Sequence, residues 1–525
     1  LDSFDKAKFG LGNEAKALEM LREMHAEPKF AQEQIQKASN LPQDHLATLV
    51  EFQKREAQEA TAELRESWLY WMKLWLSEVD FSDKEDWQLK IWVPKPFSSV
   101  EQASAIVHRA MLENPDTYTI DSYSPANKPY IDRVWMPLVK MNLNNAGFVP
   151  KYVDGAKMGF ITGVAGYFKL RVMDLSMPPL MPGEDLGFSA FMLPAPTPTK
   201  TFITIDIVPP WCVYRDPESR ARQNFSGTYI YHSEFKDRSY LRAMSQNGWD
   251  REKIEEILAS KSNQSNYSSI GGSFADSQHA MYRLKQYAYQ PHRLRQQYMV
   301  DEGWLDILDE NGDVVMPDAL MIHCNKKIIF GPITNPLWAM DENTGRKKWP
   351  LIAGAPLIHP LRFEGRGIVE QNAPFANLFS NIFMLAGDGM NWTVNPGTEI
   401  YQNALVDPDD LTNHPGKLWI KHTEHPALTP AQPGKLDING VMAFLQFADR
   451  ERQNSDFTTD FALGLPGSRT EITKGEVQIK TGQSLAIFEM MGRNLEVMGK
   501  DLVELVFDLV VQFSNPQTNP QLGEV

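Results

Sequence analysis

Apolar residues recur at helical spacing early in the chain. Residues 13 to 79 read as helix, most clearly at Leu64, Trp68, Trp71 and Trp75, where steps of four, three and four put three tryptophans on one stripe. Such a stripe predicts a helix packed on a core. From about residue 87 the period falls to two. Leu89, Ile91 and Val93 alternate with Lys90 and Trp92, predicting a strand that Pro94 and Pro96 end. A helix is predicted from Ser99 to Leu112, stopped near Asn114 and Pro115. Between 146 and 172 the glycines 147, 155, 159, 163 and 166 interrupt the pattern, and Phe168, Leu170 and Val172 alternate against Lys169 and Arg171. That combination predicts glycine-interrupted hairpin strands.

Prolines crowd residues 177 to 199, which reads as a surface loop or linker. Ile203, Ile205 and Ile207 then mark a half-buried strand that Pro209 and Pro210 terminate. Asp237 to Leu258 reads as helix around a break at Gly248, and the Ser/Asn/Gly-rich stretch 260 to 273 as a flexible segment. Arg293 to Leu308 predicts a strand running into an Asn311-Gly312 hairpin turn. Gly365-Arg366-Gly367 opens a helix with Phe375, Leu378, Phe379, Ile382, Phe383 and Ala386 on one side, closed by Gly387 and Gly389. Strands and turns are predicted for 392 to 425, helix for 436 to 452 and a polar loop for 457 to 475. The last helix, from about 476 to 513, carries Ile487, Met491, Leu495, Met498, Leu502, Leu505 and Leu509. This near-heptad stripe suits either an intrachain core or a neighbouring subunit.

Composition narrows the function classes. With 52 Lys and Arg against 67 Asp and Glu, the net charge of -15 argues against a protein that grips nucleic acid by its overall field, though not against one that lets nucleic acid slide. The 13 Trp, 16 Tyr and 27 Phe exclude disorder along the whole chain. Cys212 and Cys324 are too few and too far apart for a disulfide framework or a thiolate zinc site, and suit a reducing compartment. Neither a signal peptide nor a membrane span is expected. The chain opens at Leu1, so the natural start is expected upstream.

Most chemical motifs fail on spacing. Gly159, Gly163 and Gly166 do not form a dinucleotide fingerprint, no frame around Asp309 to Gly312 fits an EF-hand, and neither a phosphate-binding loop nor a nucleophile elbow occurs. Asp407, Asp409 and Asp410 read as a solvated turn. The best metal candidate is His414, His422, Glu424 and His425, the basis of an alternative reading as a metal-dependent hydrolase. On a strand from 417 to 424, His425 would point away from His422 and Glu424. No active site emerges, and neither catalysis nor a cofactor is expected. Basic residues cluster at Lys326-Lys327, at Arg346-Lys347-Lys348, and at Arg469 with Lys474.

Several short motifs, in order, resemble a tailed-bacteriophage portal protein, the head-to-tail connector. They are Trp92-Val93-Pro94-Lys95-Pro96-Phe97; Val208 to Pro217 ending in Arg215-Asp216-Pro217; and Tyr298 to Gly312 with Glu302-Gly303-Trp304. Asn335-Pro336 follows, then Pro360 to Gln371 with Phe363-Glu364-Gly365-Arg366-Gly367, and Arg469 to Val477 before the terminal helix. The resemblance implies an α+β fold with a mixed helix/strand wing, helical stem, strand-containing clip and C-terminal helical crown. Residues 1–235 would be wing, 236–290 the passage to the stem with its first helix, 291–355 clip, 356–390 the second stem helix, and 391–435 wing strands. Residues 436–480 would hold a wing helix and the channel loop, and 481–525 the crown. Pro374 inside the second stem helix implies a kink or a fresh start there.

A portal is a dodecameric ring at one capsid vertex, assembled in the host cytoplasm, through which double-stranded DNA is packaged and ejected. The partners implied are further copies of the chain, the terminase motor, major capsid and scaffolding proteins, and a head-completion or tail adaptor. DNA would pass without sequence-specific binding, and no membrane is involved. Arg469 and Lys474 would line the channel, while Lys326, Lys327, Arg346, Lys347 and Lys348 would contact partners at the clip. Another virion structural protein, such as a tail component, is the nearest alternative.

Overall fold

Helices lead the chain. In the computed structural model, which describes residues 38, 41–113, 119–120, 128–175, 200–219, 227–245, 248–259, 297–309, 312–335, 337, 347–360, 362–394, 398–400, 428–430, 438–456 and 474–513, α1 spans Gln43–Ala60 and α2 Ala62–Trp75. The tryptophan stripe lies on α2, with Trp68 and Trp71 buried. α3 spans Lys95–Glu113, so Pro96 stands in a first helical turn, where a missing N–H costs nothing, and it starts a helix. A helical turn at Lys128–Tyr130 and a π-helix at Ile131–Trp135 lead into α4, Met136–Asn145, and α5, Phe148–Thr162. There follow β1 Ala165–Leu175, β2 Lys200–Val208, β3 Val213–Arg215, β4 Tyr229–Asp237, α6 Arg238–Met244, α7 Arg251–Ala259, β5 Gln297–Leu308, β6 Val314–Cys324, β7 Lys327–Thr334 and β8 Leu351–Gly354. The chain continues with α8 Ile368–Val394, β9 Thr398–Ile400, β10 Leu428–Pro430, α9 Ile438–Asp456 and α10 Lys474–Phe513. The fold class is α+β.

Two units divide the chain: residues 1–70, 103–367 and 489–525 form the first, and 71–102 with 368–488 the second. In the first, an antiparallel sheet runs in the order β3-β4-β5-β6-β7. Because side chains alternate across a strand, Tyr231, Leu305 and Met321 meet Leu46, Val50 and Ala57 of α1 on one face. Tyr298, Val300 and Ile322 meet Leu241, Ile254 and Ile257 of α6 and α7 on the other. Each large apolar side chain so buried contributes about 1.5–3 kcal/mol.

A second sheet, β2-β1-β8, backs onto α5. Here the glycine-interrupted hairpin expected at 146 to 172 is corrected to helix followed by strand. Gly155 is a packing glycine: a Cβ on it would lie 2.3 Å from the ring of Phe168, so its absence lets α5 press onto β1. The stripe of α10 serves this unit's own core, with Met491, Leu495, Met498, Leu502, Leu505 and Leu509 all buried. Tyr152 of α5 hydrogen-bonds to the Leu495 carbonyl, and Asn494 Nδ2 donates to the Pro356 carbonyl at 2.8 Å.

The second unit corrects two expectations. Residues 89 to 93 form no strand, because their backbone donors go to a helix: Leu89 N donates to Asp388 Oδ1 at 2.7 Å and Val93 N to Ser380 Oγ at 3.2 Å. α8 does not stop at Gly387 and Gly389; a Cβ on Gly387 would meet the Leu89 side chain at 2.4 Å, so this glycine makes room for the segment it carries. Of the kink or fresh start expected at Pro374, the fresh start does not occur, since Pro374 lies inside the continuous helix. Asp449 of α9 pairs with Lys95 and Arg452, each at 3.0 Å. The expected segments 13–37, 177–199, 260–273, 401–425 and 457–473 lie outside the described residues.

One crossing in the first unit admits no side chain. Gly163 ends α5 at φ +85°, Gly365 N donates to its carbonyl at 3.2 Å, and a Cβ on Gly365 would lie 2.1 Å from the Leu357 carbonyl oxygen. Because that obstacle is backbone, Gly365→Ala is expected to cost at least about 2 kcal/mol in urea unfolding, whereas Gly312→Ala, with open space around it, should cost less.

Candidate functional site

Simple alternation would leave Lys169 and Arg171 on the outer side of β1, yet Lys169 is fully buried. The two sheets of the first unit are joined through it. Lys169 Nζ donates to Glu302 Oε2 at 2.5 Å and lies 3.1 Å from His232 Nδ1, which therefore accepts. Arg171 reaches Glu234 at 3.4 Å and Asp206 at 3.7 Å, and Lys236 pairs with Glu234 at 2.6 Å. A small cleft opens beside this network, walled by Arg171, Glu234, Lys236, Tyr240, Trp249 and Glu302. Burial draws the Lys169 ammonium down to about 8, against the opposing pull of Glu302. Burial would raise the Glu302 carboxyl, but the Lys169 and Arg171 charges outweigh it and hold it low. Each charge has a partner inside the network. Its chemistry is that of a clamp between sheets.

Two arginines are buried nearby. Arg65 of α2 donates to the carbonyls of Trp211 at 2.7 Å and Val213 at 3.0 Å and lies over the Tyr214 ring. Arg215 pairs with Glu364 at 2.6 Å and stacks on Phe363, 4.4 Å from the ring centre. A trio of Ser233, Asp301 and His323 has the residue types of a hydrolase triad but the wrong order. Asp301 takes the Ser233 hydroxyl at 2.5 Å and lies 3.4 Å from His323 Nδ1, with Lys54 at 2.6 Å, so the carboxylate stands where the base would be needed. Cys212 and Cys324 are both buried, and burial pushes the Cys324 thiol up to about 12. Neither has the exposed, activated thiolate that reactivity requires.

The candidate residues do not converge on one place. Lys326 sits on the turn between β6 and β7, where Asn325 and Lys326 both adopt positive φ, and its exposed ammonium is 3.8 Å from Glu51. Lys327 pairs with Glu256 of α7. Lys347 Nζ donates to the Asn335 carbonyl at 2.7 Å. Lys348 grips α10 through Glu504 at 2.5 Å and Asp508 at 3.0 Å; burial lowers its ammonium, but these bonds prevail and raise it. Lys474 begins α10. Arg346, Arg469, His414, His422, Glu424 and His425 lie outside the described residues, as do Asp407, Asp409 and Asp410. Among the described residues no three metal-ligating side chains gather, and no helix is long and apolar enough to cross a membrane.

The clamp itself was missed as a site. Its signal was present in the sequence, since Lys169 and Arg171 interrupt a strand that is apolar before and after, and Glu302 belongs to a quoted motif. Glu302→Gln would leave Lys169 as an unpaired buried cation and is expected to cost about 3 kcal/mol by urea unfolding. Adding Lys169→Met should recover most of that loss.

Asp501 on α10 offers a test with pH. Burial, then the neighbouring Glu504, raises its carboxyl to about 6 from an ordinary 3.8, and its Oδ2 is buried without a hydrogen-bond partner. The folded chain thus holds this proton more tightly than the unfolded chain, so the group's contribution to stability falls as pH rises through that window. Asp501→Asn is expected to stabilise by on the order of 1–2 kcal/mol at pH 7, with the gain vanishing below about pH 4 in unfolding measurements.

No curated protein matches the chain. The family model described as Phage SU10 portal protein matches residues 188–522, more than half of the chain, including the strands of both sheets from β2 onward, the Arg215–Glu364 pair, Glu302, α8, α9 and all but the end of the segment after α9. A match of that extent settles the family. The chain belongs to the family of the phage SU10 portal protein.

Proposed function

We propose that this chain is the subunit of a ring at one capsid vertex, a dodecameric conduit for packaging and ejecting double-stranded DNA. The family match over residues 188–522 carries the reading. In this assignment 291–355 is the clip, α8 the second stem helix, 436–480 the wing helix with the channel loop, and 481–525 the crown, with 1–235, 236–290 and 391–435 as wing and its passage to the stem. At about 1.5 Å per residue, the 27 residues of α8 give a rod of about 40 Å, a length that suits a stem. The partners are the terminase motor, major capsid and scaffolding proteins, and a head-completion or tail adaptor. Among the described clip cations paired with carboxylates of their own chain, Lys326 is the most exposed, at 80% against 43% for Lys327 and 20% for Lys348.

The charge fits a conduit. DNA carries one phosphate charge per about 1.7 Å, so an acidic wall repels it, and a sparse ring of Arg469 and Lys474 would make only transient phosphate contacts. Work comes from the motor, so the ring needs no phosphate-binding loop of its own.

Native mass measurement of the purified chain is expected to show a closed dodecamer; monomer alone under every assembly condition would overturn the reading. Arg469→Ala with Lys474→Ala is expected to leave ring mass unchanged while lowering the DNA content of virions. Normal genome content in such virions would reject the channel assignment.

A further inference from the structure

The second unit leaves more apolar surface uncovered than scattered single residues would. On α8, Leu378 and Leu385 stand seven residues apart on one stripe. Phe383 and Met390 repeat that spacing on a second stripe, about 140° around the helix. On α9, Met442 and Phe447 project from Gly440 to Ala448, a run with one polar side chain, Gln446. These six side chains are between 37% and 65% exposed. A helix apolar on every side is one that is buried on every side in its working state. α8 packs against α9 and carries residues 89 to 93, and these six side chains stay exposed beside both contacts.

The amount of surface points to a protein partner. Six large side chains, roughly half exposed at about 200 Å² each, leave about 600 Å² of apolar area. That exceeds what single exposed residues give and approaches the roughly 800 Å² that each partner brings to a standard interface. The arrangement points to the kind of partner. Two stripes about 140° apart cannot both face one neighbouring helix, and an isologous dimer would cover one of them. A closed ring gives each copy one neighbour on either side, through two different surfaces.

Resting on the portal reading, we propose that α8 and α9 form the seam between adjacent copies of this chain, with the Leu378/Leu385 stripe against one neighbour and the Phe383/Met390 stripe against the other. The seam is heterologous, so breaking either stripe breaks closure.

Full-length chains carrying Leu385→Glu or Phe383→Glu test this by native mass measurement beside circular dichroism and thermal unfolding. Each is expected to remain a folded monomer with wild-type helix content, because its own unit does not bury the altered position. Leu385→Ala and Phe383→Ala should still form rings but need at least about tenfold more protein to do so. Val314→Glu, at an exposed apolar position of the first unit, should assemble as the wild type does. If the wild type and both Glu variants form rings at the same concentration, the seam is wrong while the ring stands. If the Glu and Ala variants all unfold as monomers, the face is covered by the chain's own segments and the seam is again wrong. A wild type that never assembles removes the ring and the seam together.

Discussion

Where Gly163 meets Gly365 two backbones pass with space for hydrogen alone, and much of the first unit is positioned from that contact. Gly163 can end α5 because a residue without Cβ tolerates the left-handed conformation. The approach it allows brings residues 363 to 367 against the end of the helix. Phe363 then stacks on Tyr167 of β1 with planes 7° apart, and Glu364 reaches Arg215 at the end of β3. Two motifs far apart in the chain, Arg215-Asp216-Pro217 and Phe363-Glu364-Gly365-Arg366-Gly367, are therefore halves of one junction. A bulkier residue at the crossing would displace the ion pair, the ring stack and the entry to α8 together.

Buried charge does a different job here from apolar burial. Desolvating Lys169, Arg215 and their carboxylates costs several kcal/mol per ion, and the attraction between partners offsets this only when geometry is close. What such pairs add is selectivity between registers. Lys169 meets Glu302 because β1 and β5 each present the right face at the right height, and a one-residue slip would turn the ammonium toward α5 and Phe168 toward the charges. Arg65 shows the limit of the idea: its guanidinium is held by carbonyls, a hydroxyl and aromatic rings, so partial charges alone fill its donor sites.

How much of this was legible follows from what each pattern encodes. Periodicity located β2, the hairpin of β5 and β6, and α10, because in each the apolar repeat and the buried face coincide. The alternation from Leu89 to Val93 misled, since a period of two predicts an extended chain but not who takes its hydrogen bonds, and α8 took them. Glycine misled twice for one reason. At Gly155 and Gly387 it marks close packing of a helix rather than its end, and composition cannot tell those uses apart. For the candidate site, residue type identified Lys348 as a cation but not as the tether of α10, which depends on where Glu504 and Asp508 fall after folding. Arg469, by contrast, stands out in the sequence only as part of a basic cluster with Lys474, and its channel role is implied by the resemblance alone.

The two units divide the work of stability differently. The long stripe of α10, from Met491 to Leu509, is consumed by the first unit's own core. The second unit buries Phe379 and Met384 of α8 yet leaves Leu378, Phe383, Leu385 and Met390 exposed, with Met442 and Phe447 of α9. A net charge of -15 on every copy opposes association, but at physiological salt that repulsion decays within about 8 Å. In the proposed ring, contact-range apolar burial would therefore hold copies together while the remaining surface keeps its acidic excess. In that proposed seam the charge and the apolar stripes have separate roles: a like net charge makes the long-range field between copies repulsive, so attraction has to come at contact range, where apolar burial acts.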